Sequence, residues 1–463
     1  MSDATAVLQG LNVARQFAAA GKDDEAKAAY IAVLRLDSSN FHALNELATL
    51  ALATGHRSAA RTAYRQAALC HPGNPVGRVN LGNIYFEDGE FAAARGEYEA
   101  ALAADGNFAE AHQGLARTLD ELGDPTTAER HRELGFRGHA LVAQPYRGSG
   151  IPVRVLLLVS SRFGNVSTRL ILDDKTFEVW ALYADFHDPT QSLPPHAVVF
   201  NAIGDADLCE AALQRAAAVV AMSVAPVINA PRDVALTGRV QNAQRLASVP
   251  GLVCPRLRAR RREDLAADSS LQFPLLLRSP GFHMGSHFQR VERREELGAA
   301  MAALPGDELL EIEYLDARGA DGMVRKYRVM IIDGVIYPLH LAIAADWKVH
   351  YFSAPAMGTE PRYREEERRF LDAMPEALGP RALAALEGLG ERMGLDYAGV
   401  DFGLRTDGCV LLFEANATMV IVPPPPDPVW DYRRAAIDGA LEAARRLVLS
   451  RAGSAHRHGA APP

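Results

Sequence analysis

The chain has 463 residues, 48% of them hydrophobic, with a formal net charge of −8 and an isoelectric point near 6.0. This length predicts about two to four domains, and the acidic balance gives no support for general nucleic-acid binding through a basic surface. The chain shows no signal-like segment and no run of about 18 apolar residues, which argues against secretion by that route and against membrane spanning, so we expect a cytoplasmic protein.

Small residues recur at one fixed interval in the first third of the chain. Ala14, Ala48, Gly82 and Ala116 follow each other at steps of 34 residues. Three further columns keep the same step: Gly21, Gly55, Gly89 and Gly123; Ala26, Ala60, Ala94 and Ala128; and Tyr30, Tyr64, Tyr98 and Arg132. The glycines are expected at the turn between two helices, and the alanines where the second helix packs closely.

This period and these residue types resemble the tetratricopeptide repeat. The resemblance implies an all-α solenoid of four helix pairs within a domain of residues 1–142. Stacked pairs form a concave surface that can hold an extended peptide or a helix, so we expect a peptide or protein ligand there. Dimerisation or a spacer role is an equal alternative, because periodicity specifies the scaffold and not its ligand.

A Gly- and Pro-containing linker over residues 143–152 ends the helical pattern. Short apolar runs from Val153, over 177–183 and over 196–201 then predict the strands of a leading α/β domain covering residues 153–230. The run 216–222 can extend this series of strands. Alternation of such runs with loops and helices is typical of an α/β layer.

A strand pattern from Val324 turns at Asp333-Gly334 and returns as a second strand, which predicts a β-hairpin. Two more apolar strands follow between residues 397 and 416. They carry Asp401 on the first, and Glu414 and Asn416 on the second. Because side chains alternate along a strand, Glu414 and Asn416 point the same way.

Carboxylate and amide oxygens are ligands that Mg²⁺ accepts, so Asp401, Glu414 and Asn416 are candidate metal ligands. The alternative is that Glu and Asn simply follow a buried strand as turn-forming residues. The Gly399-x-Asp401 and Glu414-x-Asn416 motifs, in their wider setting, resemble the ATP-grasp superfamily over residues of about 153–450. The resemblance implies a metal role for the three residues and an α/β (α+β) ATP-grasp fold behind the leading domain.

The same resemblance implies a small lobe over residues 231–310 and a large lobe with the metal site over 311–450. A disordered tail is expected over 451–463. ATP and Mg²⁺ are the expected cofactors. The residues implied in binding ATP are Arg239 and Arg278, where the family commonly has Lys, the loop glycines Gly281 and Gly285, and the adenine-clasping Glu313, Tyr314 and Leu315.

Arg328, Lys348 and His350 are the candidate catalytic residues, because they match family positions that approach the transferred phosphoryl group. The implied activity is an ADP-forming carboxylate-amine ligase that works through an acyl phosphate. It would act on small-molecule or peptide acids and amines, in peptide modification or natural-product biosynthesis. The alternative is a repeat-based scaffold whose ATP-grasp domain binds nucleotide without turnover. The oligomeric state stays open.

Overall fold

The computed structural model describes residues 3–282, 285–349 and 354–458. The chain divides into two compact units, Met1–Ile151 and Pro152–Pro463, named here the repeat unit and the α/β unit. Within the described ranges, no helix combines the length and the apolar character needed to cross a membrane.

The repeat unit contains four antiparallel helix pairs, which confirms the predicted repeat solenoid. A short strand, β1 (Leu141–Ala143), follows the last pair. The eight helices are α1 (Asp3–Ala19), α2 (Asp23–Leu36), α3 (Phe41–Ala53), α4 (Arg57–Cys70), α5 (Pro75–Glu87), α6 (Phe91–Ala104), α7 (Ala109–Glu121) and α8 (Pro125–Phe136). The four column glycines have φ between 69° and 81° at the turns within the pairs, a conformation that glycine adopts without steric cost.

The tyrosine column fills the interior of the repeat unit. Tyr30, Tyr64 and Tyr98 are buried, and each hydroxyl contacts a polar side chain. Arg132 continues the column and is buried as well, with Asp120 at 2.8 Å and Glu129 at 3.2 Å to compensate its charge. The fourth pair therefore keeps the packing position but replaces an aromatic ring with an ion-paired guanidinium group.

The ring of Tyr98 lies against two glycines, so Gly114→Ala is expected to destabilise the repeat unit by about 1–3 kcal/mol through overpacking. A Cβ atom on Gly114 would lie 2.3 Å from the Tyr98 ring. Gly96 on α6 is the matched control, because no atom lies within 4 Å of its Cβ position, and Gly96→Ala should stabilise the helix by about 0.5–1 kcal/mol. Urea unfolding of both variants measures the difference; equal effects would contradict the packing argument.

Two histidines share a hydrogen bond between α7 and α8, so the repeat unit should lose stability in mild acid. The Nδ1 atoms of His112 and His131 are 2.8 Å apart, which requires one imidazole to donate and the other to accept. Burial lowers the pKa of His131, and the nearby charges of His112 and Arg130 lower it further. The negative charge of Glu99 has the opposite, smaller effect. The unfolded chain therefore binds more protons below about pH 6.5, and stability falls as the pH falls.

The loss should begin as the pH falls below about 6.5, with a slope of at most about 1.4 kcal/mol per pH unit for one proton. Urea unfolding of the repeat unit at several pH values measures it. His131→Gln should flatten this dependence, and the exposed control His56→Gln should not. An unchanged pH dependence in His131→Gln would show that the pair is not its source.

The α/β unit begins with a parallel sheet whose strand order is β3-β2-β4-β5, named the leading sheet. Its strands are β2 (Val153–Val159), β3 (Phe177–Tyr183), β4 (Val198–Asn201) and β5 (Val227–Ile228). The three strands predicted in this region are confirmed. The further strand predicted over 216–222 is wrong, because Glu210–Ala221 forms helix α9. Its apolar residues Ala212, Leu213, Ala216 and Val219 recur at helical spacing and form the buried face.

Two further sheets follow in the α/β unit. The small sheet has the order β7-β10-β8-β9 and is antiparallel; the large sheet has the order β12-β11-β13-β14-β6. Their strands are β6 (Leu252–Val253), β7 (Leu257–Arg261), β8 (Leu275–Arg278), β9 (Phe288–Val291), β10 (Glu308–Glu313), β11 (Val324–Ile332), β12 (Val335–Ala344), β13 (Tyr397–Leu404) and β14 (Val410–Asn416). The predicted hairpin is confirmed as β11 and β12, with Asp333 and Gly334 at positive φ in the turn.

Helices flank these sheets. They are α10 (Pro231–Val234), α11 (Arg239–Leu246), α12 (Arg262–Ala267), α13 (Leu297–Ala302), α14 (Pro355–Thr359), α15 (Pro361–Asp372), α16 (Met374–Leu378), α17 (Pro380–Met393) and α18 (Arg434–His458). Single 3₁₀ turns lie at Ala184–Phe186, Ala235–Thr237, Arg294–Glu296 and Pro428–Arg433. Over its described residues, the α/β unit is therefore a mixed α/β structure with three sheets.

Helix α18 joins the leading and large sheets through one hydrophobic core, to which it contributes residues from Ile437 to Ala452. The disordered tail predicted from residue 451 is wrong over 451–458, which are helical. Arg451 binds Asp333 at 2.7 Å and Asp396 at 2.8 Å, and Ala452 is buried, so tertiary contacts extend the helix. Residues 459–463 lie outside the described residues.

Candidate functional site

A cavity of about 530 Å³ lies between the small and large sheets of the α/β unit. The sequence-predicted residues that line it are Arg239, Arg278, Gly285, Glu313, Tyr314, Leu315, Arg328, Lys348, Asp401, Glu414 and Asn416. Gly281 is not part of this lining; it has φ of 80° in the loop after β8. His350 lies outside the described residues. The structure thus brings residues that are up to 177 positions apart in sequence to one cavity.

Glu414 and Asn416 share one face of β14, as the alternation of a strand predicts. The Nδ2 atom of Asn416 donates to Oε1 of Glu414 at 2.9 Å. Arg239, the first residue of α11, places its Nη2 atom 2.7 Å from the same carboxylate oxygen. The backbone N–H of Arg239 donates to the carboxylate of Asp207, on the segment between β4 and α9, at 3.0 Å.

Asp401 lies directly opposite Glu414 in the antiparallel pair of β13 and β14, and it binds two cations from β11. Arg328 donates from Nε to Oδ1 at 2.5 Å and from Nη2 to Oδ2 at 2.7 Å. Lys326 donates from Nζ to Oδ2 at 3.1 Å. Lys326 and Arg328 are two residues apart on one strand, so their side chains leave the same face.

Residue Asp401 is 3% exposed, and two neighbouring positive charges keep its carboxylate ionised. Burial raises the pKa of this carboxyl, but the positive charges of Lys326 and Arg328 outweigh burial and hold the pKa well below its usual range. The cluster of Asp401, Lys326 and Arg328 therefore carries one net positive charge at neutral pH.

Arg278 ends β8 and is the most deeply buried of the predicted phosphate-binding cations, at 7% exposure. It donates to the backbone carbonyl of Phe282 and lies over the Phe288 ring, with its guanidinium carbon 5.3 Å from the ring centroid. Its Nε atom has no hydrogen-bond partner among the described residues. Burial, with the nearby charge of Arg239, lowers the pKa of Arg278 to about 10. A guanidinium group that is buried without a carboxylate partner is suited to binding an anionic ligand, because the ligand would compensate its charge.

Apolar side chains of the small sheet, together with Trp347 after β12, form one wall of the cavity. Leu276 and Ile312 belong to a small core cluster, against which Leu257, Phe288 and Trp347 pack. The rings of Phe288 and Trp347 meet edge to face at 5.1 Å between centroids. All five residues line the cavity. This wall can cover a flat apolar group such as a purine ring.

The predicted adenine-clasping segment lies at the end of β10. Pairing with β8 ends at Glu313, so Tyr314 and Leu315 follow the last paired residue of the strand. The carboxylate of Glu313 accepts from the backbone N–H of Arg256 at 3.0 Å and from its Nε at 3.1 Å. This side chain is therefore held by Arg256, while the segment itself borders the cavity.

Two of the predicted residues meet across the cavity mouth. Gly285 has φ of 73°, and a Cβ atom built on it would lie 2.7 Å from Cε of Lys348. A side chain at residue 285 would therefore displace Lys348.

The cavity residues that the sequence analysis did not identify include Lys326, His340 and Asn242. Lys326 could have been found from its spacing to Arg328. His340 lies opposite Arg328 because Leu339 is an extra residue in a β-bulge; an unbroken hairpin would place Leu339 there. Burial, then the charge of Arg328, lowers the pKa of His340 well below its usual value. Asn242 donates to the carbonyl of Ala415 at 2.8 Å, and its own Oδ1 lacks a partner among the described residues.

The predicted metal ligands fit a divalent cation only in part. Glu414 and Asn416 lie side by side at the cavity and are half-buried, with oxygen donors of the type that Mg²⁺ binds. Asp401 differs, because two cations already bind both of its oxygens. Across residues 3–282, 285–349 and 354–458, no three histidine, cysteine, aspartate or glutamate side chains are grouped to hold a metal ion.

Several solved structures are similar to part of the chain. A crystal structure of MamA shares 22% identity over 27% of this chain and 72% of that chain, with a TM-score of 0.26. A tetratricopeptide repeat protein from Parabacteroides merdae shares 21% identity over 28% of this chain and 53% of that chain, with a TM-score of 0.27. A thermophilic TPR protein in Thermus thermophilus shares 19% identity over 28% and 73%, with a TM-score of 0.25.

No family model matches the chain, and no curated protein matches it. The repeat unit resembles tetratricopeptide repeat folds by its own features: four helix pairs, the 34-residue step and the buried columns.

Proposed function

We propose that the α/β unit is an ADP-forming, ATP-dependent carboxylate-amine ligase of the ATP-grasp type. One observation carries the proposal: cations from separate elements converge on a single cavity that also has an apolar wall. The cations are Arg239, Arg278, Lys326, Arg328 and Lys348. A nucleoside triphosphate combines a flat apolar ring with a polyanionic chain, and a cavity of about 530 Å³ is of the size that binds such ligands.

The proposed orientation follows from the two ends of the cavity. Leu257, Leu276 and Ile312 would cover the purine, and the segment from Glu313 to Leu315 would border its edge. The triphosphate would then extend toward Arg278, Arg239 and Arg328. Arginine presents a planar fork of donors to phosphate oxygens, so the two arginines at positions that are commonly lysine keep the required charge.

The proposed reaction has two steps. A carboxylate oxygen of the acid attacks the γ-phosphorus of ATP, the bond to the β-phosphate oxygen breaks, and ADP leaves. The amine nitrogen then attacks the carbonyl carbon of the acyl phosphate, and inorganic phosphate leaves with formation of the amide and release of a proton. The role of the protein is to position the reactants and to offset negative charge. Arg328 and Lys348 are the candidates for offsetting charge on the transferred phosphoryl group.

Glu414 and Asn416 are the side chains that would hold Mg²⁺. When bound there, the ion would offset the charge of the phosphates and help to orient them. Arg239 would then exchange its ion pair with Glu414 for contacts with phosphate oxygens.

The repeat unit extends the proposal toward a peptide or protein partner. Tetratricopeptide-like repeats suggest a protein-interaction scaffold, and stacked helix pairs present a continuous surface to a peptide. We propose that the repeats recruit the peptide or protein that carries the acid or the amine.

A second candidate is a scaffold whose α/β unit binds nucleotide without turnover. The ion pairs of Asp401 favour this candidate. Both oxygens of its carboxylate already bind Lys326 and Arg328, an arrangement that suits a site which holds nucleotide without catalysis. The two functions differ in one property, which is ADP formation that depends on an acceptor.

The test is ATP consumption by the purified chain with Mg²⁺, against pools of amino acids, small carboxylates and peptides, with products resolved by mass spectrometry. The ligase predicts ADP, phosphate and a new condensation product in equal amounts. Arg328→Met should lower the rate at least about tenfold, and the exposed control Arg258→Met should not. Nucleotide binding without product in any pool would instead support the scaffold.

A further inference from the structure

We infer that Asp401 is a positioning residue that holds Lys326 and Arg328 side by side as a paired phosphate-binding cation, and that it is not a metal ligand. The inference rests on the proposed nucleotide site and changes the role that the sequence resemblance implies for Asp401. It also adds Lys326 to the site.

The geometry of the carboxylate carries the inference. Arg328 binds Asp401 with two nearly parallel hydrogen bonds of 2.5 and 2.7 Å, the bidentate arrangement that fixes a guanidinium plane. Lys326 adds a third bond of 3.1 Å to Oδ2. The side chain of Asp401 is 5% exposed and that of Lys326 is 14% exposed, so both are largely removed from water.

A divalent cation at Asp401 would have to lie next to two positive groups. Both groups are already within 3.1 Å of the same carboxylate. Like charges at that separation in a partly buried site repel strongly, and release of either cation would leave it desolvated and unpaired. The obstacle at Glu414 is smaller, because the ion pair recorded for its carboxylate among the described residues is the one with Arg239, and its side chain is 27% exposed.

The arrangement instead presents positive charge to the cavity. With one carboxylate between two cations, the cluster keeps a net charge of +1, and both Lys326 and Arg328 line the cavity. Each cation is anchored before any ligand binds, so fewer rotamers need to be fixed when a phosphate arrives. Loss of the anchor should therefore weaken polyphosphate binding itself, even in the absence of metal.

The experiment compares two variants of the full chain: the double variant Asp401→Asn/Lys326→Met, and Glu414→Gln. The double variant keeps the net charge of the cluster and avoids leaving two buried cations without a partner. Mn²⁺ is titrated in each variant at a saturating concentration of the non-hydrolysable analogue β,γ-imido-ATP and followed by electron paramagnetic resonance. Inorganic tripolyphosphate is titrated separately in EDTA by calorimetry.

The double variant should keep Mn²⁺ affinity within about threefold of the wild type, while Glu414→Gln loses about tenfold or more. In EDTA the order should reverse: tripolyphosphate affinity falls about tenfold in the double variant and is not reduced in Glu414→Gln. An equal loss of Mn²⁺ affinity in the double variant and in Glu414→Gln, or unchanged tripolyphosphate affinity in the double variant, would overturn the inference.

Asp401→Glu covers the case in which the double variant does not fold. It keeps the charge but moves the carboxylate, so it should weaken tripolyphosphate binding and spare Mn²⁺ binding; the opposite pattern would identify a metal ligand. If the wild-type chain binds neither imido-ATP nor tripolyphosphate, the proposed nucleotide site fails, and this inference fails with it. If the wild-type chain binds these ligands but the variants do not show the expected affinities, the inference about Asp401 fails and the proposed nucleotide site stands.

Discussion

Arg278→Met is expected to lower the affinity of the chain for ATP by about 10- to 100-fold while leaving its unliganded stability unchanged or higher. The guanidinium group is 7% exposed, has no carboxylate partner among the described residues, and has a pKa lowered to about 10 by burial. A charge-assisted hydrogen bond to phosphate contributes about 1.5–3 kcal/mol, which sets the expected loss of affinity. Removal of an unpaired buried charge relieves its desolvation cost.

Calorimetric titration with ATP and thermal unfolding without nucleotide measure the two effects on one variant. Arg258→Met is the matched control, because Arg258 is an exposed arginine of the same small sheet. It should change neither quantity appreciably. A loss of stability in Arg278→Met with ATP affinity retained would show that Arg278 serves packing and not phosphate binding.

The second large effect is expected in the core beneath the large sheet. Glu367→Gln should destabilise the α/β unit by about 3–5 kcal/mol, because it removes the charge that compensates a buried arginine. Glu367 is 0% exposed, and Arg433 donates to its Oε2 at 2.6 and 3.1 Å. Tyr432 donates to the same oxygen, and the backbone N–H of Leu341 donates to Oε1.

Urea unfolding monitored on the α/β unit measures the loss. The control is Glu365→Gln on the same helix, α15, where the side chain is exposed and the expected change is below about 0.5 kcal/mol. Similar midpoints for the two variants would mean that Arg433 finds another partner, and the ion pair would then not be a determinant of stability.

The repeat unit was predictable because its signal is both local and repeated. A glycine at each turn and small residues at each helix contact recur four times, so one error in a single column does not alter the register. Arg132 illustrates the limit: the column predicts a buried position but not that an arginine compensated by Asp120 would fill it. That compensation depends on α7, which no spacing within α8 encodes.

The strands that carry the candidate site were predictable from the sequence, but the residues that lie opposite each other on neighbouring strands were less so. Alternation places Glu414 and Asn416 on one face, and the hairpin turn predicts that β11 and β12 pair. Two β-bulges then decide which residues meet. Leu339 and Phe413 are the extra residues, one beside Arg328 and one beside Asp401, and both line the cavity. Bulges shift a strand by one residue and are not encoded in the hydrophobic alternation.

The remaining errors share one cause, which is tertiary override of a local pattern. A run of alanine and valine over 216–222 is compatible with a buried strand or a helix, and here its buried face has helical spacing. Composition suggests that the last helix ends before residue 451, but contacts of Arg451 with Asp333 and Asp396 and the burial of Ala452 accompany its continuation. Neither contact is visible in local sequence.

A crystal structure of the chain with β,γ-imido-ATP and Mg²⁺ would test the proposed nucleotide site. We expect phosphate oxygens within hydrogen-bonding distance of Arg239, Arg278 and Arg328, with the purine against Leu276 and Ile312. We also expect the metal at Glu414 and Asn416, with Asp401 still bound to Arg328. Binding of the analogue outside this cavity would contradict the proposed nucleotide site. So would the absence of binding at concentrations near 1 mM, which correspond to a binding free energy of only about −4 kcal/mol.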